Sequence, residues 1–145
     1  MYGQTEASPR ISFLDWKYAF KKIGSIGKNI KSVKIWLEDE KNKKIYKPGK
    51  IGEIVIKGKN VCMGYCENVK DLNKPDENKE VLKTGDLGYF DKDNFFYIHG
   101  RKSRIAKVYG LRVSLDDLEK KLMKIGYEVA CMNYNNIITI FYTLK

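Results

Sequence analysis

LKTGDLGYFDKDNFFYIH, residues 82–99, decides the architecture. Leu82 to Phe90 reads as a strand that runs into Asp91-Lys92-Asp93-Asn94, a strong turn signal, and Phe95 to His99 reads as the strand that leaves it. Upstream, Val33, Ile35 and Leu37 alternate along Ser32 to Leu37, which gives way to the polar turn Glu38 to Lys44. A further strand runs from Ile51 to Lys57 with Ile54 and Ile56 on one face, and Gly58 ends it. Glu67 to Glu80 is charged and contains Pro75, so a short helical turn and surface loop are expected there. The first dozen residues are rich in glycine and polar groups and read as a loop. This section is therefore expected to be mostly β, a small distorted β-barrel or twisted sheet with glycine corners.

Downstream the pattern changes. Ile105 to Val113 reads as a strand pair bent at Gly110. Ser114 caps a helix, with Asp116 and Asp117 in its first turn. Leu115, Leu118, Leu122 and Ile125 step by three, four and three along one apolar stripe, and Gly126 stops the helix. Two strands follow, Tyr127 to Met132 and Ile137 to Tyr142, joined by a turn at Asn135-Asn136. The fold class is α+β, divided into a β subdomain over residues 1–102 and a compact β-α-β-β lid domain over 103–145.

With 145 residues, 43% of them hydrophobic and 12% aromatic, the chain can bury a core without staples. No run approaches the roughly 18 apolar residues of a membrane span, and Met1 to Glu6 lack the basic-then-apolar order of a signal peptide. Three cysteines (Cys62, Cys66, Cys131) are an odd number, which points to a reducing, cytoplasmic setting. Cys62 and Cys66 with the single His99 do not supply the four ligands of structural zinc. The net charge of +10 raises nucleic acid as a partner, but only four of the basic residues are arginine (Arg10, Arg101, Arg104, Arg112). The lysines are scattered without a solid basic block, so the charge reads as a solvated surface rather than a nucleic-acid footprint.

Four stretches carry chemistry. Tyr2-Gly3-Gln4-Thr5-Glu6 gathers an aromatic ring, a glycine that admits close backbone approach, a hydroxyl and a carboxylate. Such a set can stack a base, touch a phosphate and hold a cation. Thr84-Gly85-Asp86 places an aspartate after a glycine turn, where it can accept two hydrogen bonds from a ribose diol. Gly100-Arg101-Lys102-Ser103-Arg104 offers an arginine to a sugar or phosphate. Lys107-Val108-Tyr109-Gly110-Leu111-Arg112-Val113 sets a glycine between cationic side chains. Each stretch alone reads equally well as an ordinary turn or strand.

In order and spacing, YGQTEAS (2–8), GSIGK (24–28), GEIVIKGKNVCMGY (52–65), KTGDLGYFDKDNFFYIHGR (83–101) and KVYGLRVSLDDLE (107–119) resemble the C-terminal part of the adenylate-forming enzymes. These are the AMP-dependent synthetases and ligases, acyl-CoA synthetases among them. The resemblance implies that Tyr2 stacks on adenine beside Gly3, that Thr5 contacts the phosphate of AMP and that Glu6 helps hold magnesium on ATP. It implies that Asp86 and Arg101 bind the ribose, that the pantetheine arm passes Gly110 and that Arg112 faces the adenylate phosphate. Ser103 matches the hinge on which the lid turns, where the family has Asp or Lys. Asn94 stands where the family often has a turn glycine, a small change because Asn tolerates positive φ.

The implied reaction is ATP-dependent adenylation of a carboxylate followed by transfer to a thiol, coenzyme A or the pantetheine of a carrier protein. The family's glycine-rich phosphate loop and its lid lysine are not found in this sequence; Lys145 lacks the expected Gly-Lys context. The chain is expected to be a fragment that does not adenylate by itself. Two other readings stay open: a free-standing, non-catalytic binding module, and a basic barrel that binds nucleic acid.

Overall fold

The computed structural model describes residues 1–135 and 137–143, so Asn136 of the expected turn and Lys145 lie outside the described residues. Two compact units divide the chain at residues 99 and 100.

The first unit is built on an eight-stranded sheet. In chain order its strands are β1 (Tyr2–Gly3), β2 (Arg10–Phe13), β3 (Ser25–Asn29), β4 (Val33–Glu38), β5 (Lys44–Ile45), β6 (Gly52–Gly58), β7 (Val81–Phe90) and β8 (Phe96–Arg101). Their spatial order is β1-β2-β3-β8-β7-β6-β4-β5. The β4–β6 and β6–β7 ladders are antiparallel, with Ile35 opposite Ile56 and Gly52 opposite Gly88. Alternation put these strands within a residue or two of where they lie. Val33, Leu37, Ile54 and Ile56 are fully buried and meet Ile11, Phe90 and Phe96 in one core.

The expected turn after β7 is an aspartate-anchored loop. Asp91 Oδ1 accepts from the N–H groups of Asp93 and Phe95 at 2.9 and 3.0 Å, and Asn94 adopts φ 62°. Lys22 Nζ donates to Asp91 Oδ2 at 2.7 Å from outside the loop. Burial raises the Asp91 carboxyl, but that cation and the two N–H donors outweigh it and hold the group below the usual carboxylate range.

Of the two forms expected for the first unit, the sheet holds and the barrel needs correction. Among the described residues the sheet is open and forms no closed barrel: its edges, β1 and β5, are two residues long. Such short strands offer too few ladder bonds to pair with each other, and short edges are a common protection against edge-to-edge association. The first dozen residues are also not a plain loop. Tyr2 pairs with Ser12 and Gly3 with Arg10 around a 3-10 turn at Thr5–Ala7, and Ile11 and Ser12 are fully buried.

In the second unit, β9 (Ile105–Val108) and β10 (Leu111–Ser114) form a hairpin, followed by α1 (Leu115–Lys124) and the pair β11 (Glu128–Tyr134) and β12 (Ile137–Thr143). Its order is thus β-β-α-β-β. Tyr109 and Gly110, both at positive φ (48° and 80°), make the two-residue turn whose twist suits a hairpin. Ser114 Oγ accepts from the Asp117 N–H at 3.2 Å, as a capping serine does. Leu115 is buried against Ala106 and Cys131, with Leu118 and Leu122 packed beside them. Ile125 departs from the expected stripe: it ends the helix and is 69% exposed.

Candidate functional site

The opening strand brings Tyr2 to the second chemical stretch, Thr84-Gly85-Asp86, with Asp86 84 residues further along the chain. The Tyr2 hydroxyl donates to Asp86 Oδ2 at 2.6 Å. Gln4 Nε2 donates to the same oxygen at 2.9 Å and to the Thr84 carbonyl at 2.9 Å. Thr84 Oγ1 donates to the Ile54 carbonyl at 2.8 Å and accepts from the Asp86 N–H at 3.1 Å. Gly85 between them takes φ 70°, which a side chain would strain. Asp86 is only 6% exposed, and a buried carboxylate is tolerated when several donors compensate its lost hydration. Two donors on one oxygen also fix the plane of the group, which has about four acceptor sites in all.

Gln4 is the residue that sequence reasoning missed here. It lies inside the quoted motif, but nothing local tells that its amide spans to Thr84 and Asp86. Gly3 is required by contact rather than by dihedral: a Cβ there would lie 1.8 Å from the Pro9 carbonyl oxygen. The 3-10 turn that follows carries an exposed Thr5 and a half-buried Glu6. Asn60 ties that turn down, its amide donating to the carbonyls of Ala7 at 2.6 Å and Arg10 at 3.0 Å. The Tyr65 hydroxyl donates to Glu6 Oε1 at 2.6 Å, and the carboxylate in turn holds the Tyr65 phenol above its ordinary pKa. Tyr2, Gly3, Thr5, Glu6 and Asp86 thus all belong to one unit, where Tyr2 and Asp86 are in direct contact.

Ser103, Gly110 and Arg112 fall in the second unit, together with Arg101, the last residue of β8, which runs two residues past the division; all four are exposed. Ser103 sits in a 3-10 turn, Lys102–Arg104. Arg112 lies opposite Lys107 across the hairpin. A Cβ at Gly110 would meet nothing within 4 Å, so its positive φ is what calls for glycine. Arg104, not singled out for a site role, does structural work, binding Asp116 Oδ1 at 2.7 Å, Glu119 Oε2 at 2.6 Å and the Cys131 carbonyl at 2.8 Å.

Among the described residues no cluster of three or more histidine, cysteine or acidic side chains could cage a metal. A lone carboxylate such as Glu6 still fits magnesium, which is held by one or two carboxylates together with substrate phosphates and water. Among the same residues no helix is long and apolar enough to cross a membrane.

Residues 1–66 match the family of AMP-binding enzymes. The 2-succinylbenzoate–CoA ligase of Bacillus licheniformis is 39% identical over 124 residues, which cover 84% of this chain and 25% of the relative. The ligase of the same name from Geobacillus sp. is 34% identical over 127 residues, covering 84% and 24%. The chain thus spans about a quarter of the length of the curated relatives it matches. Among solved structures, O-succinylbenzoate coenzyme A synthetase from Bacillus subtilis in complex with ATP and magnesium ion aligns with TM-score 0.71 and 28% identity, over 97% of this chain and 30% of that one. The amide bond synthetase McbA from Marinactinospora thermotolerans shares the fold, with TM-score 0.69 and 20% identity over 96% of this chain and 29% of that one.

Proposed function

The chain is homologous to the C-terminal part of the adenylate-forming enzymes, and from that premise we propose that it serves an AMP-forming ligase that activates a carboxylate with ATP and passes the acyl group to a thiol. The observation that carries this reading is the 2.6 Å hydrogen bond from the half-buried Tyr2 to the buried Asp86, which joins the residues proposed for adenine and for the ribose. A ring for the base and a carboxylate for the ribose diol, so joined, make a nucleoside cradle.

In this scheme a carboxylate oxygen attacks the α-phosphorus of ATP, the bond to the bridging oxygen breaks and pyrophosphate leaves. A thiol sulfur then attacks the acyl carbonyl and loses its proton, and AMP departs. Coenzyme A is the first choice of acceptor, since relatives at 34–39% identity are CoA ligases by name; the pantetheine of a carrier protein is the other. Tyr2 stacks on adenine, with Gly3 admitting close approach. Asp86 accepts from the ribose hydroxyls, Arg101 adds a ribose contact and Thr5 donates to the phosphate of AMP. Arg112 serves the adenylate phosphate, the thiol arm passes Gly110 and Ser103 marks the hinge. Glu6 is the residue that would hold magnesium, which when bound neutralises charge on the phosphates. The setting is cytoplasmic.

The test is carboxylate-dependent ATP–pyrophosphate exchange by the intact gene product, with 2-succinylbenzoate in the substrate panel. Exchange that Asp86→Ala lowers by about tenfold or more supports the reading. A folded intact protein that exchanges with no carboxylate overturns it.

A further inference from the structure

Glu6 is gripped twice by one loop. The Cys62 N–H donates to the Glu6 carbonyl at 2.8 Å, and the Tyr65 hydroxyl donates to Glu6 Oε1 at 2.6 Å. That loop is anchored from its other side, because Asn78 Nδ2 donates to the Cys62 carbonyl at 2.8 Å and the Glu77 N–H donates to the Met63 carbonyl at 2.8 Å. Tyr65 also lines a cavity of about 220 Å³ with Met63, Leu72 and Pro75. The phenol therefore reaches Glu6 from a loop whose backbone is fixed just before it, at Cys62 and Met63, although Tyr65 is 71% exposed.

We propose that Tyr65 is a positioning residue: it orients the Glu6 carboxylate for the divalent cation that accompanies a nucleoside triphosphate. This rests on the reading of Glu6 as the magnesium residue. Glutamate loses much rotamer freedom when it takes a ligand, and a donor already seated on Oε1 removes part of that cost before the cation arrives. The chemistry of the donor suits the task. A lysine or arginine would cancel the charge the cation needs, whereas a neutral phenol fixes the carboxylate and leaves its charge intact. Partners of this kind set the orientation of metal-binding side chains in general.

The experiment uses Mn²⁺ in place of magnesium, with binding to the ATP complex of the intact gene product followed by water-proton relaxation. Tyr65→Phe is expected to weaken Mn²⁺ binding about three- to tenfold, less than the ~10–100-fold typical of buried partners because this phenol is exposed. ATP affinity at saturating Mn²⁺ should not change. Glu6→Gln should weaken Mn²⁺ at least as much, and the double variant should be no worse than Glu6→Gln, because Tyr65 acts through Glu6. If Glu6→Gln weakens the metal and Tyr65→Phe does not, the positioning role is wrong while Glu6 stands. Additive losses would make Tyr65 a structural residue instead. If Glu6→Gln has no effect, the reading of Glu6 falls and the proposal falls with it.

Discussion

A single hydrogen bond shows what residue identity decides here. The Tyr2 hydroxyl is one of two side-chain donors seen on Asp86 Oδ2, and Asp86 is almost fully withdrawn from water. Tyr2→Phe keeps the ring and removes the donor, leaving the Gln4 amide in place. A hydrogen bond to a charged group contributes about 1.5–3 kcal/mol, so the unfolding free energy of the first unit in urea should fall by that amount. An unchanged midpoint would mean that water replaces the phenol without loss. Gly3→Ala has a steric origin instead, because the added Cβ would overlap the Pro9 carbonyl 1.8 Å away. Overpacking of this kind costs about 1–3 kcal/mol, and a thermal melt of the variant checks it. Tyr2 and Asp86 were each legible in the sequence as candidate ligands. Gln4 was not, because its partners lie 80 and 82 residues on and amide spacing carries no signal over that distance.

At the level of elements, α1 shows how a marginal helix is secured. Ten residues are too few for a helix to persist alone in water. Its Ser114 cap and leucine stripe were visible in the sequence, but the clamp across it was not. Arg104 binds Asp116 and Glu119 on the helix, and Glu119 Oε1 accepts from the Cys131 N–H on β11 at 2.6 Å. The Arg104 guanidinium, then the Cys131 N–H, hold the Glu119 carboxyl below its usual range. Folding therefore favours the ionised form. The stability this adds is complete above the unfolded carboxyl value of about 4.3 and is lost as pH falls through that value toward the folded one. Urea midpoints for the second unit should drop between pH 6 and pH 3, and Glu119→Gln should flatten that drop while lowering the midpoint at pH 6. A Glu119→Gln variant with the same acid slope would place the titration elsewhere. Elements without apolar alternation escaped sequence reading for a related reason. β3 carries Ser25-Ile26-Gly27-Lys28-Asn29, and one isoleucine cannot set a period, so only its pairing with β2 and β8 reveals it.

For the molecule as a whole, order and spacing of the motifs made the kinship legible, while sheet closure was not, because it depends on how edge strands end rather than on any one stretch. Each unit carries its own core: Ile11, Val33, Leu37, Ile54 and Ile56 lead the first, and Ala106, Leu115 and Cys131 form the second. Among the described residues the second core has fewer buried members than the first and supports less stability, so amides of α1 should exchange with deuterium before those of β6 and β7. Equal protection in both would show the units unfolding together. The same division bears on catalysis. Adenylation needs donors arrayed around a departing pyrophosphate as well as a nucleoside cradle, and charge that develops on phosphate oxygens is stabilised only by groups already in place. This chain, about a quarter of its relatives' length, contains the residues proposed for the cradle, and its sequence shows no glycine-rich phosphate loop. The isolated 145 residues should therefore catalyse no pyrophosphate exchange above a Glu6→Gln control. Exchange clearly above that control, with any carboxylate, would mean that the proposed cradle and the β9–β10 hairpin suffice for the chemistry, and that the phosphate loop assists rather than enables it.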